Sequence, residues 1–173
     1  MLGPTANRIK ADLPNFPDEV VQTWLLRAAQ HSGWPPAPFS RWDKILLHRS
    51  LSFWRTVTWE RRRVPVNAFT LDRESLGNIR GLLEANVAGA RNVYAQQISD
   101  TKQRFNRILQ YLQQHGRLPI PPVLLSNGYQ YTVLDGNHRL AAYLCFGASL
   151  LGPTCWICRP PPPNQGPRAY RRR

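Results

Sequence analysis

Five consecutive residues, Asp135-Gly136-Asn137-His138-Arg139, gather an acid, a flexible hinge, an amide and two nitrogen-rich side chains. They stand between a strand-like run, "YTVL", and a helix-like one, "LAAYLCF". A helix that starts directly after a strand leaves its first N–H groups unpaired at the positive end of its dipole, which suits an anion. Gly136 permits a sharp turn and close approach of an anion to the backbone. Asn137 is a candidate N-cap. His138 and Arg139 oppose the dipole in the first turn, a local penalty that makes sense if a phosphate lies over it. Arg139 would then stabilise charge growing on a phosphoryl group, and His138 would donate to or protonate an oxygen. Asp135 would orient His138, hold Mg²⁺ through water or act as a weak base. The plain alternative packs His138 and pairs Arg139 with Asp135 or solvent.

Other residues add weaker possibilities. Asp72 and Glu74 could supply further acids, although acids at such places ordinarily serve the first turn of a helix. No Gly-x-x-x-x-Gly-Lys-Ser/Thr loop occurs, which excludes a P-loop engine. Cys155 and Cys158 have the spacing of a zinc or redox pair, but no second Cys/His pair accompanies them. In a strand, residues three apart point to opposite faces and cannot share a metal. No metal ligand set is expected beyond Mg²⁺ at Asp135. Arg61, Arg62 and Arg63, with Arg171, Arg172 and Arg173, are candidate nucleic-acid contacts that would weaken steeply with salt. Trp34, Trp42, Trp54 and Trp59 suit either base stacking or interhelical packing.

The elements that must position these groups follow from periodicity. Residues 1–16 read as a loose lead-in, and "FPDEVVQTWLLRAAQHSGW" as a helix with Val21, Trp24, Leu25 and Ala28 inward. "WPPAPFS" is a linker, and "RWDKILLHRSLSFW" a second helix. A strand begins near Thr56, and "RRRVPVNAF" continues or restarts it. Residues 72–115 are helical in at least two pieces, broken around Gly81, Asn86 and Gly89, the later piece burying Ile98, Thr101, Phe105, Ile108, Leu109 and Leu112. Asn127-Gly128 marks a type I′ hairpin turn joining strands at Val123–Ser126 and Tyr129–Asp135. In that strand Asp135 shares a face with Val133 and Tyr131, so it would meet solvent only at the strand's mouth. A helix from about His138 to Phe146 ends at Gly147, and "TCWICR" is a last strand.

Composition sets the partner class. The 173 residues carry 23 Lys and Arg against 10 Asp and Glu, a net charge of +13. Twenty of those cations are Arg, whose fork suits phosphate and carboxylate. A polyanion is the natural partner, nucleic acid first. Three cysteines cannot pair completely, and "MLGPTANRIKADLP" lacks the apolar core of a signal peptide, so a reducing, cytoplasmic setting is expected. The charge-free run 140–158 could nominally span a bilayer, but Gly147, Gly152 and Pro153 break it, and no membrane span is expected.

Asp135–Arg139 with its flanks, "GYQYTVL" and "LAAYLCFG", resembles the signature of the ParB/sulfiredoxin superfamily. "RRRVPVNAF" is similar to that family's first strand, "RILQYLQQHGRLPIPPVLL" to the helix leading into its hairpin and "GPTCWICR" to its closing strand. The resemblance implies a compact α/β (α+β) domain with a mixed sheet over 56–160, with 72–115 as a helical insertion. A helical extension over 1–55 and a disordered Pro/Arg-rich tail over 161–173 complete the expected organisation. It also implies that nucleotide or nucleic-acid phosphate lies against Gly136, Asn137, His138 and Arg139, with ATP and Mg²⁺ as cofactors. Sulfiredoxins carry a cysteine where this chain has Asn137, so sulfinic acid repair is not expected. A partition-type helix-turn-helix after Gly147 is not expected. The Trp-rich basic extension and Arg tail resemble plasmid fertility-inhibition factors of the oncogenic suppression type. That resemblance implies ATPase and DNase activity, with Asp135, His138 and Arg139 catalytic, and interference with a type IV secretion system. Two alternatives stand beside it, a non-catalytic nucleotide- or DNA-binding inhibitor and a small-molecule (amino-acid) kinase of the same superfamily.

Overall fold

The lead-in is a helix, contrary to expectation. In the computed structural model, which describes residues 4–38, 43–86, 101–147 and 151–162, α1 covers Pro4–Asp12. Pro4 suits a helix start, and Ala6, Ile9 and Leu13 recur at helical spacing. Ile9, Leu13 and Phe16 are fully buried. Each such side chain is worth about 1.5–3 kcal/mol of burial, which is enough to hold the segment down. The Asn15 carboxamide fixes it further by donating to the carbonyls of Trp54 and Val57 at 2.9 and 2.8 Å.

Helix α2, residues 18–32, follows as expected. It runs Asp18–Val20, loosens into a π-helical turn at Val21–Leu25, and resumes at Leu26–Ser32. Its stripe of Val21, Trp24, Leu25 and Ala28 is buried. The second expected helix is instead two short pieces, a 3₁₀ turn at Asp43–Leu46 and α3 at Leu51–Trp54. Leu47 and His48 between them take φ of 52° and 55°, which no right-handed helix accommodates. The Ser50 hydroxyl then caps α3 by accepting from the Phe53 amide.

Strand β1 covers Thr58–Arg63 and stops there. Pro65 has no N–H for a ladder, so "VPVNAF" bends into a 3₁₀ turn at Val66–Ala68 instead of continuing the strand. Helix α4 (Arg73–Ala85), which runs through Gly81 without the expected break, and helix α5 (Thr101–His115) lie within the expected helical stretch 72–115. Thr101, Phe105 and Leu112 of α5 are buried, while Gly89 and Ile98 lie outside the described residues. Strands β2 (Val123–Ser126) and β3 (Tyr131–Asp135), helix α6 (Asn137–Phe146) and strand β4 (Thr154–Arg159) complete the fold.

The chain is therefore a mixed α/β protein with a four-stranded mixed sheet in the order β1-β4-β2-β3. The β1/β4 and β2/β3 pairs are antiparallel, and β2 and β4 run parallel. One face packs Val123, Leu125 and Cys158 with α1, α2 and α3 around Phe16, Trp24 and Trp54. The other packs Leu124, Cys155 and Ile157 with α4, α5 and α6. Cys155 and Cys158 thus belong to separate cores, as residues three apart in a strand must. Among the described residues no helix is long and apolar enough to cross a membrane.

Two details of the hairpin depart from expectation. The Asn127 amide donates to the Gln130 carbonyl, so the turn centres on Gly128 and Tyr129, and only Gly128 has positive φ (94°). A type I′ turn at Asn127-Gly128 would need positive φ at both. The shift follows from the Asn127 side chain, whose Oδ1 accepts from the amides of Tyr129 and Gln130. A register shift between Val123 and Leu124 then sets Asp135 opposite Val123 and Val133 opposite Leu124. Val123 belongs to the first core and Val133 to the second, so the bulge breaks the expected common face of Tyr131, Val133 and Asp135.

Candidate functional site

Register places the important groups at one end of the sheet. Arg63 ends β1 opposite Thr154 at the start of β4, and Asp135 ends β3 opposite Val123 at the start of β2. The Asp135–Arg139 junction and the basic cluster of β1 therefore share a sheet end, although Arg63 and Asp135 are 72 positions apart in sequence.

Gly136, not Asn137, occupies the N-cap position of α6. Its φ is 99°, which favours glycine, and no side chain caps the helix. Asn137 is the first helical residue, and its Oδ1 is buried without a hydrogen-bond partner among the described residues. Arg139 is the organiser of the junction. Its Nη2 contacts the Asp135 carboxylate, and its Nη1 donates to the carbonyls of Ile120 and Pro121 at 3.1 and 3.2 Å. A Cβ added at Gly136 would lie 3.2 Å from the Arg139 guanidinium carbon and 3.1 Å from the Pro122 Cα. The space above this glycine, expected to admit an anion, is filled by the chain's own arginine. The pairing of Arg139 with Asp135, the plain alternative, is what the fold contains.

Beside the junction lies a cleft of about 300 Å³. Arg61 and Arg63 of β1, Arg117 just beyond α5, Tyr143 of α6 and Gly152 line it, with Glu19 of α2 as its one acid among the described residues. Glu19 is engaged: it pairs with Arg61 at 3.3 Å and accepts from the Trp156 indole at 3.1 Å. Arg61 also lies over the Trp156 ring. Arg63 and Arg117 form no ion pair with a carboxylate among the described residues. Gly152 shapes the wall, because a Cβ there would fall 1.7 Å from the Val64 carbonyl oxygen. Burial raises the Tyr143 hydroxyl above its ordinary pKa against the opposing pull of Arg63, so it is a hydrogen-bond donor at neutral pH. The arrangement offers guanidinium and hydroxyl donors to an anion.

The remaining expected residues fall elsewhere. Asp72 caps α4 at the far end of β3 from Asp135: its Oδ1 accepts from the Ser75 amide at 2.7 Å and its Oδ2 from the Thr132 hydroxyl. Burial alone would raise its carboxyl, but the bonds from Thr132 and Ser75 outweigh it and hold the pKa below the usual value. Glu74 is exposed in the first turn of α4, so neither acid joins the junction. Arg62 contacts Glu60 and the Tyr131 hydroxyl, away from the cleft. Arg171, Arg172 and Arg173 lie outside the described residues, as does Trp42. Trp34 and Trp54 are buried, and Trp59 packs on the first core, so all three serve packing rather than stacking on bases.

The two β4 thiols are equally committed. Burial pushes Cys155 up to about 12 despite the pull of Arg139, and pushes Cys158 up as well. Among the described residues no cluster of His, Cys, Asp and Glu could hold a metal ion. Arg117 and Tyr143 were not legible as site residues. Arg117 lies just past the end of the expected 72–115 helical stretch and Tyr143 inside the expected 138–146 helix, and neither belongs to a motif. Comparison with protein-family models, curated proteins and solved structures gives no match.

Proposed function

We propose that this protein binds phosphate esters at the sheet end shared by the Arg63–Arg117 cleft and the Asp135–Arg139 junction. In this reading it is a ParB/sulfiredoxin-like protein directed at ATP and DNA, serving as a plasmid fertility-inhibition factor against a type IV secretion system. The carrying observation is the convergence of Arg63, Arg117 and Tyr143 on one cleft beside the junction, within a chain of net charge +13. Two guanidiniums with no carboxylate partner among the described residues suit the fork geometry of phosphate oxygens.

Hydrolysis is the second reading, favoured by the adjacency of Asp135, His138 and Arg139 on one strand–helix junction. Arg139 would have to leave Asp135 to reach a phosphoryl group, and Asp135 would then be freed to hold Mg²⁺ or a water. Purified protein should bind ATP and plasmid DNA, with affinity falling as salt rises. Turnover of ATP or nicking of plasmid DNA that disappears in Arg139→Ala would establish the hydrolase. Binding without turnover would leave an inhibitor that works by occupancy. Absence of any binding to ATP, DNA or pyrophosphate at low salt would end the proposal.

A further inference from the structure

The strand–helix junction and the cleft divide the work between them. We infer that Arg63 and Arg117 take the terminal phosphate of a phosphomonoester or polyphosphate, and that Arg139 is a positioning residue that straps the wall carrying Arg117. This assignment rests on the phosphate-binding reading above.

The argument starts from the segment 117–122, "RLPIPP". Three of its last four residues are proline and have no N–H, so this stretch cannot hold itself in place by a backbone ladder. Its carbonyls are held from outside. The Pro122 carbonyl accepts from the Trp156 amide at 2.9 Å, and those of Ile120 and Pro121 accept from Arg139. Arg117, Pro119 and Pro121 line the cleft, so whatever fixes this segment also fixes Arg117 relative to Arg63. Arg139 is well placed for that duty. Its side chain is only 14% exposed and its charge is matched by Asp135. A planar fork that spans a carboxylate and two carbonyls has little left to offer a ligand.

The cleft dimensions choose the ligand class. About 300 Å³ is room for a small anionic group and too little for a duplex. A free nucleotide and the phosphorylated end of a nucleic acid share that chemistry.

Asp135→Asn separates the two roles of Arg139 by sign. If Arg139 straps the wall, neutralising Asp135 loosens it and weakens ATP binding about threefold or more. If Arg139 is instead a phosphate ligand, the same change frees its charge and tightens binding, which would overturn the assignment. Arg63→Ala and Arg117→Ala should each weaken ATP about tenfold or more. Unchanged affinity in both would overturn it as well. A 5′-phosphorylated oligonucleotide that binds more tightly than its hydroxyl-ended twin, and competes with ATP, identifies a nucleic-acid end; ATP binding alone identifies the free nucleotide. Amide hydrogen exchange at Trp156, whose N–H is held by the Pro122 carbonyl beside the two carbonyls that Arg139 grips, provides a ligand-free measure. It should speed up in Arg139→Ala and recover in part in Arg139→Lys, while unchanged exchange would refute the strap. That second measurement decides the role of Arg139 even where wild-type protein binds no phosphate and the functional proposal itself has failed.

Discussion

Two helices start at opposite ends of β3, and they are closed in opposite ways. At the start of α4, Asp72 accepts from the Ser75 amide and the Thr132 hydroxyl while its own amide donates to the Tyr131 carbonyl. Ser75 completes the joint by accepting from the Val133 amide at 2.8 Å. At the start of α6 no side chain caps the helix, Gly136 turns through positive φ, and an arginine from the first turn reaches back over it. The first arrangement satisfies its polar groups locally and leaves nothing to recruit. The second is held by a long-range tie to a proline segment that also forms a cleft wall. Residue types alone make both places look like helix starts with nearby acids; only the partners of Asp72 and Arg139 tell a cap from a strap.

Three substitutions sharpen that contrast. Gly136→Ala should be the most damaging, about 2–3 kcal/mol by urea denaturation. It combines a strained φ of 99° with contacts of 3.1–3.2 Å to Pro122 and Arg139. A loss below about 0.5 kcal/mol would mean that the junction yields easily and the strap is loose. Asp72→Ala should cost about 1–2 kcal/mol, the ordinary value of a lost cap. Its pH dependence carries the sign. The folded pKa is held below the ordinary value of 3.8, so the stabilisation is present above that value and lost as pH falls through the lower folded one. Wild-type protein should therefore lose stability below about pH 4 more steeply than Asp72→Asn does. Asn137→Ala should be the mildest, within about 0.5 kcal/mol, because Asn137 is not the cap and its Oδ1 has no partner among the described residues to lose. A loss of cap size at Asn137 would erase the difference between the two helix starts.

What was legible in the amino-acid order was local. The stripe of α2, the buried face of α5, the α6 helix and the β4 strand are written in periodicity, and the structure has them. The lead-in was misread because Pro4 and Pro14 bracket a short helix whose apolar residues, Ala6, Ile9 and Leu13, look sparse until Phe16 joins them. The break at Leu47 and His48 has no glycine or proline to announce it. The hairpin turn moved by one residue because the Asn127 side chain takes the hydrogen bonds that the expected turn would give to backbone. At the site, the Asp135–Arg139 cluster was plain, but its internal pairing was one of two alternatives that residue types could not separate. The cleft was invisible because it draws on positions 19, 63, 117, 143 and 152, which only the β1-β4-β2-β3 order brings together.

The position of β1 has one more consequence. It is one of the sheet's two edge strands, and no strand pairs with its free side among the described residues. An open edge ordinarily invites another chain to zip onto it and start an aggregate. Arg61, Arg62 and Arg63 are all exposed along this border, so two copies approaching edge to edge would press like charges together. Self-association through β1 is thereby discouraged, and only a strand bearing acids could lie there comfortably.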